Sequence, residues 1–235
     1  MNNKMVITGD SKAIITNQTG IHEKLDEIVQ KHLAHPFQKP YQQHTQQAFN
    51  EMDAAVKCFL ADQPQGEIIL DACCGVGQST RLLAQQHPQA LVIGVDKSDH
   101  RINKNVVGFT EDDGYQATNY HLVRADLNDF YRLVKAANWP VSKHYILYPN
   151  PWPKSKHIQR RWHGSAVFPQ MTSIGKTLIL RSNWPLYLQE FQQAATQVNL
   201  QGELTPLTVQ QVPLTPFEAK YQASGQVCWQ LVLKR

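Results

Sequence analysis

The strongest constraint on the fold of this chain is a regular alternation of strand-like and helix-like segments that begins at Glu67 and ends near Val198. Five short apolar runs have the length of strands, and the segments between them are helical in periodicity or are polar loops, one of them at residues 111–119. The predicted strands are residues 67–72, 90–96, 120–126, 144–148 and 177–182. Because strands that alternate with helices build βαβ units, we predict an α/β fold with a doubly wound, mainly parallel sheet.

The end of the chain departs from this alternation. Residues 203–212 and 226–233 are both predicted to be strands, with no helix between them. Consecutive strands without a crossover pair in antiparallel fashion, so we expect a hairpin on the edge of the sheet. A parallel, Rossmann-like sheet that ends in such a hairpin is typical of methyltransferases that use S-adenosylmethionine.

Residues 1–66 precede the alternation and are predicted to be an arm and two helices that pack on a methyltransferase domain formed by residues 67–235. Residues 1–19 are polar, and we expect them to be mobile. Apolar residues recur at helical spacing in two later stretches, one that stops before Pro36 and one that reaches Leu60. The prediction is therefore one α/β unit with a helical N-terminal addition.

Composition excludes several classes of protein. No apolar run approaches the roughly 18 residues that a membrane span requires, and the first residues lack the apolar stretch of a secretory signal. The four cysteines show no C-x-x-C spacing and no matching histidine cluster, so we predict reduced thiols and no metal site. We therefore expect a cytoplasmic protein with no membrane partner.

The loop after the first predicted strand contains the residues of a nucleotide-like ligand site. Its sequence is Asp-Ala-Cys-Cys-Gly-Val-Gly, in which Gly75 and Gly77 allow the backbone to approach a ligand closely. The third glycine of a dinucleotide motif is missing, and the Asp71 carboxylate would repel a pyrophosphate but suits the ammonium group of S-adenosylmethionine. Asp96 and Asp126 close the next two strands, where they are placed to contact the ribose and the adenine. Three such acids favour S-adenosylmethionine over a plain strand–helix turn.

A proline-braced turn, YPNPWPKSKHIQRR, follows the fourth predicted strand. Proline fixes its own φ and restricts the residue before it, so Asn150 between Pro149 and Pro151 has little freedom. Trp152 offers a flat face on which a base could stack. The turn is therefore predicted to hold one polar side chain rigidly beside an aromatic ring.

Positive charge is concentrated around this turn. Nine lysines and arginines and no acidic residue lie between Asp129 and Glu190, whereas the rest of the chain has 14 cations and 19 anions. A solvated helix face is the simplest source of such a cluster, but its position beside a rigid turn favours phosphate binding. The sequence therefore predicts a strip that binds nucleic acid next to the turn.

Three motifs between Glu67 and Arg235 together resemble the tRNA (guanine-N7) methyltransferase family. The first motif is Pro149-Asn150-Pro151-Trp152-Pro153-Lys154 with a tail of His157, Arg160 and Arg161. The second is Ser182-Asn183-Trp184, and the third is Thr215-Pro216-Phe217-Glu218. The resemblance covers the whole predicted methyltransferase domain.

The resemblance implies transfer of a methyl group from S-adenosylmethionine to N7 of a guanine in tRNA, by a monomer or a weak homodimer. It implies a catalytic role for Asn150, which would also contact the cofactor, as would Cys73 in the first loop. Substrate contacts are implied for Lys154, Arg160, Arg161, Asn183, Thr215, Phe217 and Glu218. Among these, the three cations would clamp phosphates, and Glu218 would pair with the edge of the guanine.

The chain departs from the family pattern at three of these positions. Asn150 and Asn183 stand where the family has aspartate, and Cys73 stands where the first loop has glycine. Asn150 keeps an oxygen acceptor but lacks the charge that would stabilise a methylated purine, so we predict a slower and divergent member. Two other interpretations fit the same turn, namely methylation of an exocyclic or amide nitrogen and a non-catalytic paralogue that binds tRNA or the cofactor.

Overall fold

The computed structural model describes residues 9–108, 118–208 and 212–235, so most of the polar loop predicted at 111–119 lies outside the described residues. Seven strands in these ranges form one sheet: β1 (Glu67–Ala72), β2 (Ala90–Asp96), β3 (Tyr120–Arg124), β4 (Val141–Leu147), β5 (Thr177–Ser182), β6 (Gln201–Pro206) and β7 (Trp229–Lys234). The α-helices of the same ranges are α1 (Leu25–Ala34), α2 (Gln43–Asp62), α3 (Gln78–Gln86), α4 (Asp99–Gly108), α5 (Leu127–Ala136), α6 (Phe168–Thr172), α7 (Pro185–Thr196) and α8 (Pro216–Ala223).

The strands follow the order β3-β2-β1-β4-β5-β7-β6 across the sheet. Neighbours among the first five are parallel, and β7 pairs in antiparallel fashion with both β5 and β6. Every residue of β2 is buried, as expected for a parallel strand that is covered on both faces. The predicted fold, a doubly wound and mainly parallel sheet with a C-terminal antiparallel pair, is confirmed.

The prediction that no helix separates the last two strands is wrong. The eight-residue helix α8 lies between β6 and β7, and the Thr215 hydroxyl caps it by accepting a hydrogen bond from the Glu218 N–H at 3.0 Å. Pro216 occupies the first turn, where its missing N–H leaves no hydrogen bond unmade. The strand predicted at 203–212 is the shorter β6, and residues 209–211 lie outside the described part of the chain.

One face of the sheet carries most of the helices. Helices α1, α2, α5, α6 and α7 share a hydrophobic core with that face, to which Leu25 and Phe49 contribute from the segment before β1. The ring of Phe49 stacks on Trp139 with centroids 5.2 Å apart. The opposite face packs on α3 through Leu83 and Ala84. The N-terminal helices therefore belong to the same core as the sheet.

The described part of the N-terminal arm, residues 9–18, runs from the end of α8 to the turn after β4. The Gly9 N–H donates a hydrogen bond to the Ala223 carbonyl at 2.9 Å. The Thr16 hydroxyl donates one to the Pro153 carbonyl at 2.5 Å. The arm is thus docked over these residues, contrary to the expectation that it is mobile, and the residues before Gly9 lie outside the described ranges.

Two classes of feature are absent from the described residues. No helix there has both the length and the apolarity of a membrane span. No group of three or more His, Cys, Asp or Glu side chains in the same ranges is arranged to hold a metal ion. The cysteines at positions 58, 73, 74 and 228 are free thiols.

Candidate active site

The candidate site lies at the carboxyl-terminal edge of the parallel strands. Since β1 to β5 run in one direction, the loops that follow them gather at one edge, where doubly wound sheets bind ligands. Backbone hydrogen bonds tie two of these loops to the neighbouring strands. The Cys74 N–H donates to the Val95 carbonyl of β2 at 3.1 Å, and the Tyr148 N–H donates to the Arg181 carbonyl of β5 at 2.9 Å. The residues predicted after β1, β2 and β4 are thereby brought to the same edge.

The loop after β1 has a left-handed backbone at three residues. Cys73, Gly75 and Gly77 have φ values of 62°, 61° and 76°. A Cβ placed on Gly75 would have no neighbour within 4 Å, so open space lies over this part of the backbone. A ligand can therefore lie directly against the loop, which fits the predicted S-adenosylmethionine.

Asp96, the last residue of β2, holds this loop in place. One carboxylate oxygen accepts a hydrogen bond from the Gly75 N–H at 3.1 Å, and the other accepts one from the Ser98 N–H at 2.8 Å. Arg101 Nη1 lies 3.5 Å from the same carboxylate. Because each carboxylate oxygen has two acceptor positions, Asp96 retains capacity for ribose hydroxyls while it orders the loop.

Asp126 lies two residues beyond β3 and caps α5. Its Oδ1 accepts hydrogen bonds from the backbone N–H and the side-chain amide of Asn128, at 2.8 and 2.9 Å. A carboxylate at a helix N-terminus is stabilised by the helix dipole. The side chain is half-buried at the edge where the predicted adenine would lie.

Asp71 does not face the ligand space as predicted. Its side chain is fully buried, and Oδ2 accepts hydrogen bonds from the hydroxyls of Ser79 at 2.6 Å and Thr80 at 2.7 Å. Burial, opposed in part by these hydrogen bonds, raises the pKa of Asp71 to about 6. A ligand ammonium cannot reach a carboxylate enclosed in this way, so the predicted direct contact is corrected to an anchor that joins the loop to α3.

The raised pKa of Asp71 predicts a specific dependence of stability on pH. The folded protein holds this proton up to about pH 6, whereas the unfolded chain loses it near the ordinary value of 3.8. Between these values the folded state binds more protons, so the Asp71 contribution to the free energy of unfolding falls as pH rises, by up to about 3 kcal/mol. Asp71→Asn keeps an oxygen acceptor for both hydroxyls and removes this loss.

Urea denaturation of the parent and of Asp71→Asn from about pH 4 to about pH 7.5 measures the effect. We expect the difference in unfolding free energy to shift in favour of the variant as pH rises. Comparing the two proteins at each pH cancels the titration of the other groups. A difference that is independent of pH would contradict the assignment.

Cys73 contributes conformation rather than reactivity. Its φ of 62° lies in the region that favours glycine, which is the residue that the family pattern has at this position. Burial and the nearby Asp96 carboxylate raise the pKa of the thiol to about 12. A thiol that stays protonated at neutral pH is a poor nucleophile, so any contact of Cys73 with the cofactor rests on its backbone.

The turn after β4 presents Asn150 to solvent. The Asn150 side chain is exposed, and its Oδ1 accepts a hydrogen bond from the Trp152 N–H at 3.3 Å. Tyr148 and Trp152 have φ values of 50° and 44°, which are strained for residues with side chains. Strain of this kind concentrates at functional sites, so the backbone supports the prediction that the turn is functional.

The side chains of Arg160 and His157 flank the indole of Trp152. The guanidinium carbon of Arg160 lies 4.7 Å from the ring centroid, and His157 meets the ring edge-on at 5.6 Å. One face of the indole that was predicted to stack on a base is therefore covered by Arg160. Arg160 and Lys154 are both exposed, as their predicted contacts with phosphates require.

Arg161 is fully buried, unlike its neighbour Arg160. Its guanidinium pairs with Glu190 and lies 4.9 Å from the ring centroid of Trp184. A guanidinium without exposed surface cannot meet a tRNA phosphate in this conformation. The predicted phosphate contact of Arg161 is therefore corrected to an internal ion pair.

Glu218 is internal as well. Its two carboxylate oxygens accept hydrogen bonds from Arg181 Nη1 at 3.0 and 3.2 Å, and its side chain is fully buried. Thr215 is also buried, and its hydroxyl is the cap of α8. The predicted contacts of Glu218 with guanine and of Thr215 with the substrate are corrected to structural roles, because Glu218 has no exposed surface and the Thr215 hydroxyl is engaged in the helix cap.

The remaining predicted substrate residues lie nearer to solvent. Asn183 is half-buried, and its side-chain amide donates a hydrogen bond to Gln226 Oε1 at 2.8 Å. Phe217 is 51% exposed and stacks on Tyr221 with ring centroids 6.5 Å apart. Tyr221 is half-buried and contacts the ring of Tyr148 in the turn, so the exposed ring of Phe217 next to it offers a surface on which a nucleotide base can stack.

Two charged residues that pair with predicted site residues, one acid and one base, were not predicted from the sequence. Glu190 and Arg181 hold Arg161 and Glu218, respectively, across separations of 29 and 37 residues. The only signal for Glu190 was its position as the first acid after the cationic stretch. Their pairing depends on how α7 and β5 pack, which no local pattern encodes.

Comparison with known proteins gives the family context of these residues. A family profile described as "Putative methyltransferase" matches residues 65–231. A tRNA (guanine-N(7)-)-methyltransferase of Mycobacterium avium is 30% identical over 96 residues, which span 40% of this chain and 35% of that protein. A tRNA (guanine-N(7)-)-methyltransferase of Shewanella sp. is 23% identical over 182 residues, which span 73% of this chain and 74% of the relative.

Solved structures agree with the fold. A 16S rRNA (adenine(1408)-N(1))-methyltransferase from Catenulisporales acidiphilia superposes with a TM-score of 0.53 at 14% sequence identity. The superposition covers 76% of this chain and 90% of that protein. At this identity the likeness establishes the shared sheet and helices and carries no information on the substrate.

Proposed function

We propose that this chain, which belongs to the tRNA (guanine-N7) methyltransferase family, transfers a methyl group from S-adenosylmethionine to N7 of a guanine in tRNA. One observation carries the proposal. The family's proline-braced turn holds Asn150 exposed at the same sheet edge as the open space over Gly75. A cofactor against the loop and a base at the turn would therefore approach each other from neighbouring strands.

The residues that would hold S-adenosylmethionine are Gly75 and Gly77 through their backbone, Cys73 in the same loop, and Asp96 and Asp126 through their carboxylates. When bound, this cofactor supplies an electrophilic methyl group on a sulfonium. Asp71 supports the loop from the interior through Ser79 and Thr80. Of the two carboxylates, Asp126 is half-buried and Asp96 is only 4% exposed, so Asp96 would contact the ligand through the acceptor positions that its hydrogen bonds to the loop leave free.

The chemistry requires positioning more than acid–base catalysis. Guanine N7 has an in-plane lone pair and no proton, so the chain needs no general base to activate it. As the methyl group arrives, positive charge develops on the purine, and an oxygen acceptor near the ring lowers the energy of that state. The Asn150 carboxamide oxygen is such an acceptor, and the hydrogen bond from Trp152 sets its orientation.

Exposed cations and aromatic rings around the turn provide a surface for tRNA. Lys154 and Arg160 are exposed near Asn150, and the exposed ring of Phe217 stacks on the half-buried Tyr221. Lysine and arginine contacts to phosphates supply affinity, and aromatic rings bind unstacked bases. This combination favours a single-stranded or looped segment of tRNA at the site.

A labelled-tRNA assay tests the proposal. Purified protein is incubated with S-adenosylmethionine labelled in its methyl group and with unmodified tRNA. We expect labelled tRNA that is cleaved by aniline after reduction, because N7-methylguanine labilises its glycosidic bond. The same tRNA methylated beforehand at N7 should accept no label and serves as the control.

The other interpretations give different results in this assay. Labelled tRNA that resists aniline cleavage would indicate methylation of a base amine. Cofactor binding without any labelled tRNA would indicate a binding protein or a protein substrate, and would overturn the proposal.

We further propose that residues 1–66 form an addition to a methyltransferase domain at residues 67–235, and that the protein acts in the cytoplasm as a monomer or a weak homodimer. The family match begins at residue 65, which supports the proposed boundary. Sedimentation over a range of protein concentrations would test the oligomeric state.

A further inference from the structure

A chain of contacts runs from helix α7 to the turn that presents Asn150. It begins at Glu190, whose side chain has no exposed surface, and passes to the equally buried guanidinium of Arg161. Arg161 donates two hydrogen bonds to the carbonyl oxygen of Trp152, from Nε at 3.2 Å and from Nη2 at 3.1 Å. Arg161 thus fixes the carbonyl of Trp152, and the N–H of Trp152 in turn donates a hydrogen bond to Asn150 Oδ1.

The Glu190 carboxylate has partners on both oxygens. Oε2 accepts hydrogen bonds from Arg161 and from His163 Nε2, the latter at 3.0 Å. Oε1 accepts hydrogen bonds from the His22 N–H at 2.9 Å and from the Gln18 amide. Burial by itself would raise the pKa of Glu190, but the His163 hydrogen bond and the Arg161 charge outweigh it and lower the pKa to about 2. Glu190 is therefore ionised at neutral pH and orients Arg161 as a full counter-charge.

The turn needs an anchor because its backbone is strained. Trp152 has a φ of 44°, and a side-chain-bearing residue keeps such a conformation only where its surroundings fix it. Hydrogen bonds from a charged donor are stronger than neutral ones, and Arg161 supplies two of them to one carbonyl. Without Arg161 in place, Trp152 would relax and Asn150 would move with it.

We infer that Glu190 is a positioning residue for methyl transfer, because it orients Arg161, which fixes Trp152 and thereby the side chain of Asn150. The inference rests on the proposed function, in which Asn150 faces the guanine. Displacement of a reacting group by about 1 Å costs on the order of a hundredfold in rate. Loss of the chain of contacts should therefore lower kcat while the affinity for S-adenosylmethionine stays the same.

The test removes both charges together. Glu190→Leu alone would leave Arg161 buried without a counter-charge, which is strongly destabilising whatever the role of the pair in positioning. The double variant Glu190→Leu with Arg161→Met replaces the pair with apolar side chains of similar size. The His163, His22 and Gln18 donors lose their acceptor, but neutral groups left unpaired cost less than a lone buried charge. The control makes the same kind of double change in a partly exposed ion pair, Glu67→Leu with Lys143→Met, whose charged atoms lie 3.2 Å apart near the amino-terminal ends of β1 and β4.

Two measurements are made on each double variant. We expect kcat of the Glu190/Arg161 variant to fall roughly tenfold to a hundredfold, with an unchanged Kd for S-adenosylmethionine and parental kcat in the control. Pro151 and Pro153 carry no N–H, so the readout within residues 150–155 is the Trp152 and Ser155 amides, which donate hydrogen bonds in the parent. We expect these amides to exchange with deuterium at least about tenfold faster in the Glu190/Arg161 variant, while the strands stay as protected as in the parent.

The exchange measurement keeps this inference separate from the proposed function. Unchanged exchange in residues 150–155 overturns the inference whether or not tRNA methylation is ever detected. An unchanged kcat in the folded Glu190/Arg161 variant overturns it too. Faster exchange throughout the sheet would assign the pair a purely structural role and would likewise overturn it.

Discussion

Replacing Asn150 with aspartate is expected to raise the rate of methylation at guanine N7. The carboxylate adds a negative charge next to a purine that becomes positive in the transition state. A unit charge at about 4 Å is worth on the order of 1 to 4 kcal/mol, which corresponds to roughly fivefold to nearly a thousandfold in rate. Aspartate can still accept the hydrogen bond from the Trp152 N–H, so the turn keeps its geometry.

Single-turnover rates at saturating tRNA and S-adenosylmethionine measure this effect. The matched control is Asn17→Asp, because Asn17 is an exposed asparagine whose Oδ1 accepts a hydrogen bond from the Ser155 N–H at 3.0 Å. Asn17→Asp adds the same charge close to Ser155 but outside the turn that contains Asn150. An Asn150→Asp rate that is unchanged or lower, or an equal gain in Asn17→Asp, would contradict the role of local charge.

Arg161→Ala is expected to destabilise the protein by about 3 to 5 kcal/mol, because it leaves the Glu190 carboxylate buried without its counter-charge. Arg160→Ala should lower the free energy of unfolding by less than about 1 kcal/mol, since Arg160 is exposed and its guanidinium lies over the ring of Trp152 at the surface. Equilibrium unfolding in urea compares the two variants directly.

Binding to tRNA should separate the two arginines in the opposite order. Arg160→Ala should weaken tRNA binding and reduce the slope of log affinity against log salt by about 0.7 to 0.9, the value for one lost phosphate contact. Arg161→Ala should leave that slope unchanged when it is measured on folded protein. An Arg161→Ala variant with parental stability and a reduced salt slope would show instead that Arg161 contacts a tRNA phosphate.

The contrast between these adjacent arginines shows where inference from sequence stops. Both belong to the same cationic stretch, and no local pattern distinguishes them. Arg160 lies over an indole at the surface, whereas Arg161 meets a carboxylate 29 residues away on α7. Composition showed that charge is concentrated there, but only packing shows which charges are available to a ligand.

The failure to predict helix α8 has a different cause. Thr215, Pro216 and Glu218 provide a cap, a first-turn proline and an acid in the first turn, so the start of a helix was present in the sequence. The prediction of a direct hairpin gave more weight to the two flanking strands. The predicted antiparallel pairing of β6 and β7 is nevertheless correct, although a helix between two strands more often accompanies parallel pairing.

The carboxylates divide in the same way. The positions of Asp71, Asp96 and Asp126 at the ends of three strands followed from periodicity. The environments of Asp71 and Asp96 are nevertheless opposite in kind, because Asp71 is enclosed by two hydroxyls of α3 while Asp96 binds the loop at the sheet edge. Glu218 is enclosed in the same way as Asp71, so it is an interior partner of Arg181 and not a ligand of guanine.

The sequence by itself determined the succession of strands along the chain, their mainly parallel direction, the loop with Gly75, and the rigid turn at Asn150. These features follow from side-chain periodicity and from the limits that proline places on φ, which act over a few residues. Only the tertiary structure decided which charged groups face solvent and which are paired inside. Burial and pairing depend on contacts between distant segments, such as Glu190 with Arg161, and those contacts set the energies of the charged groups.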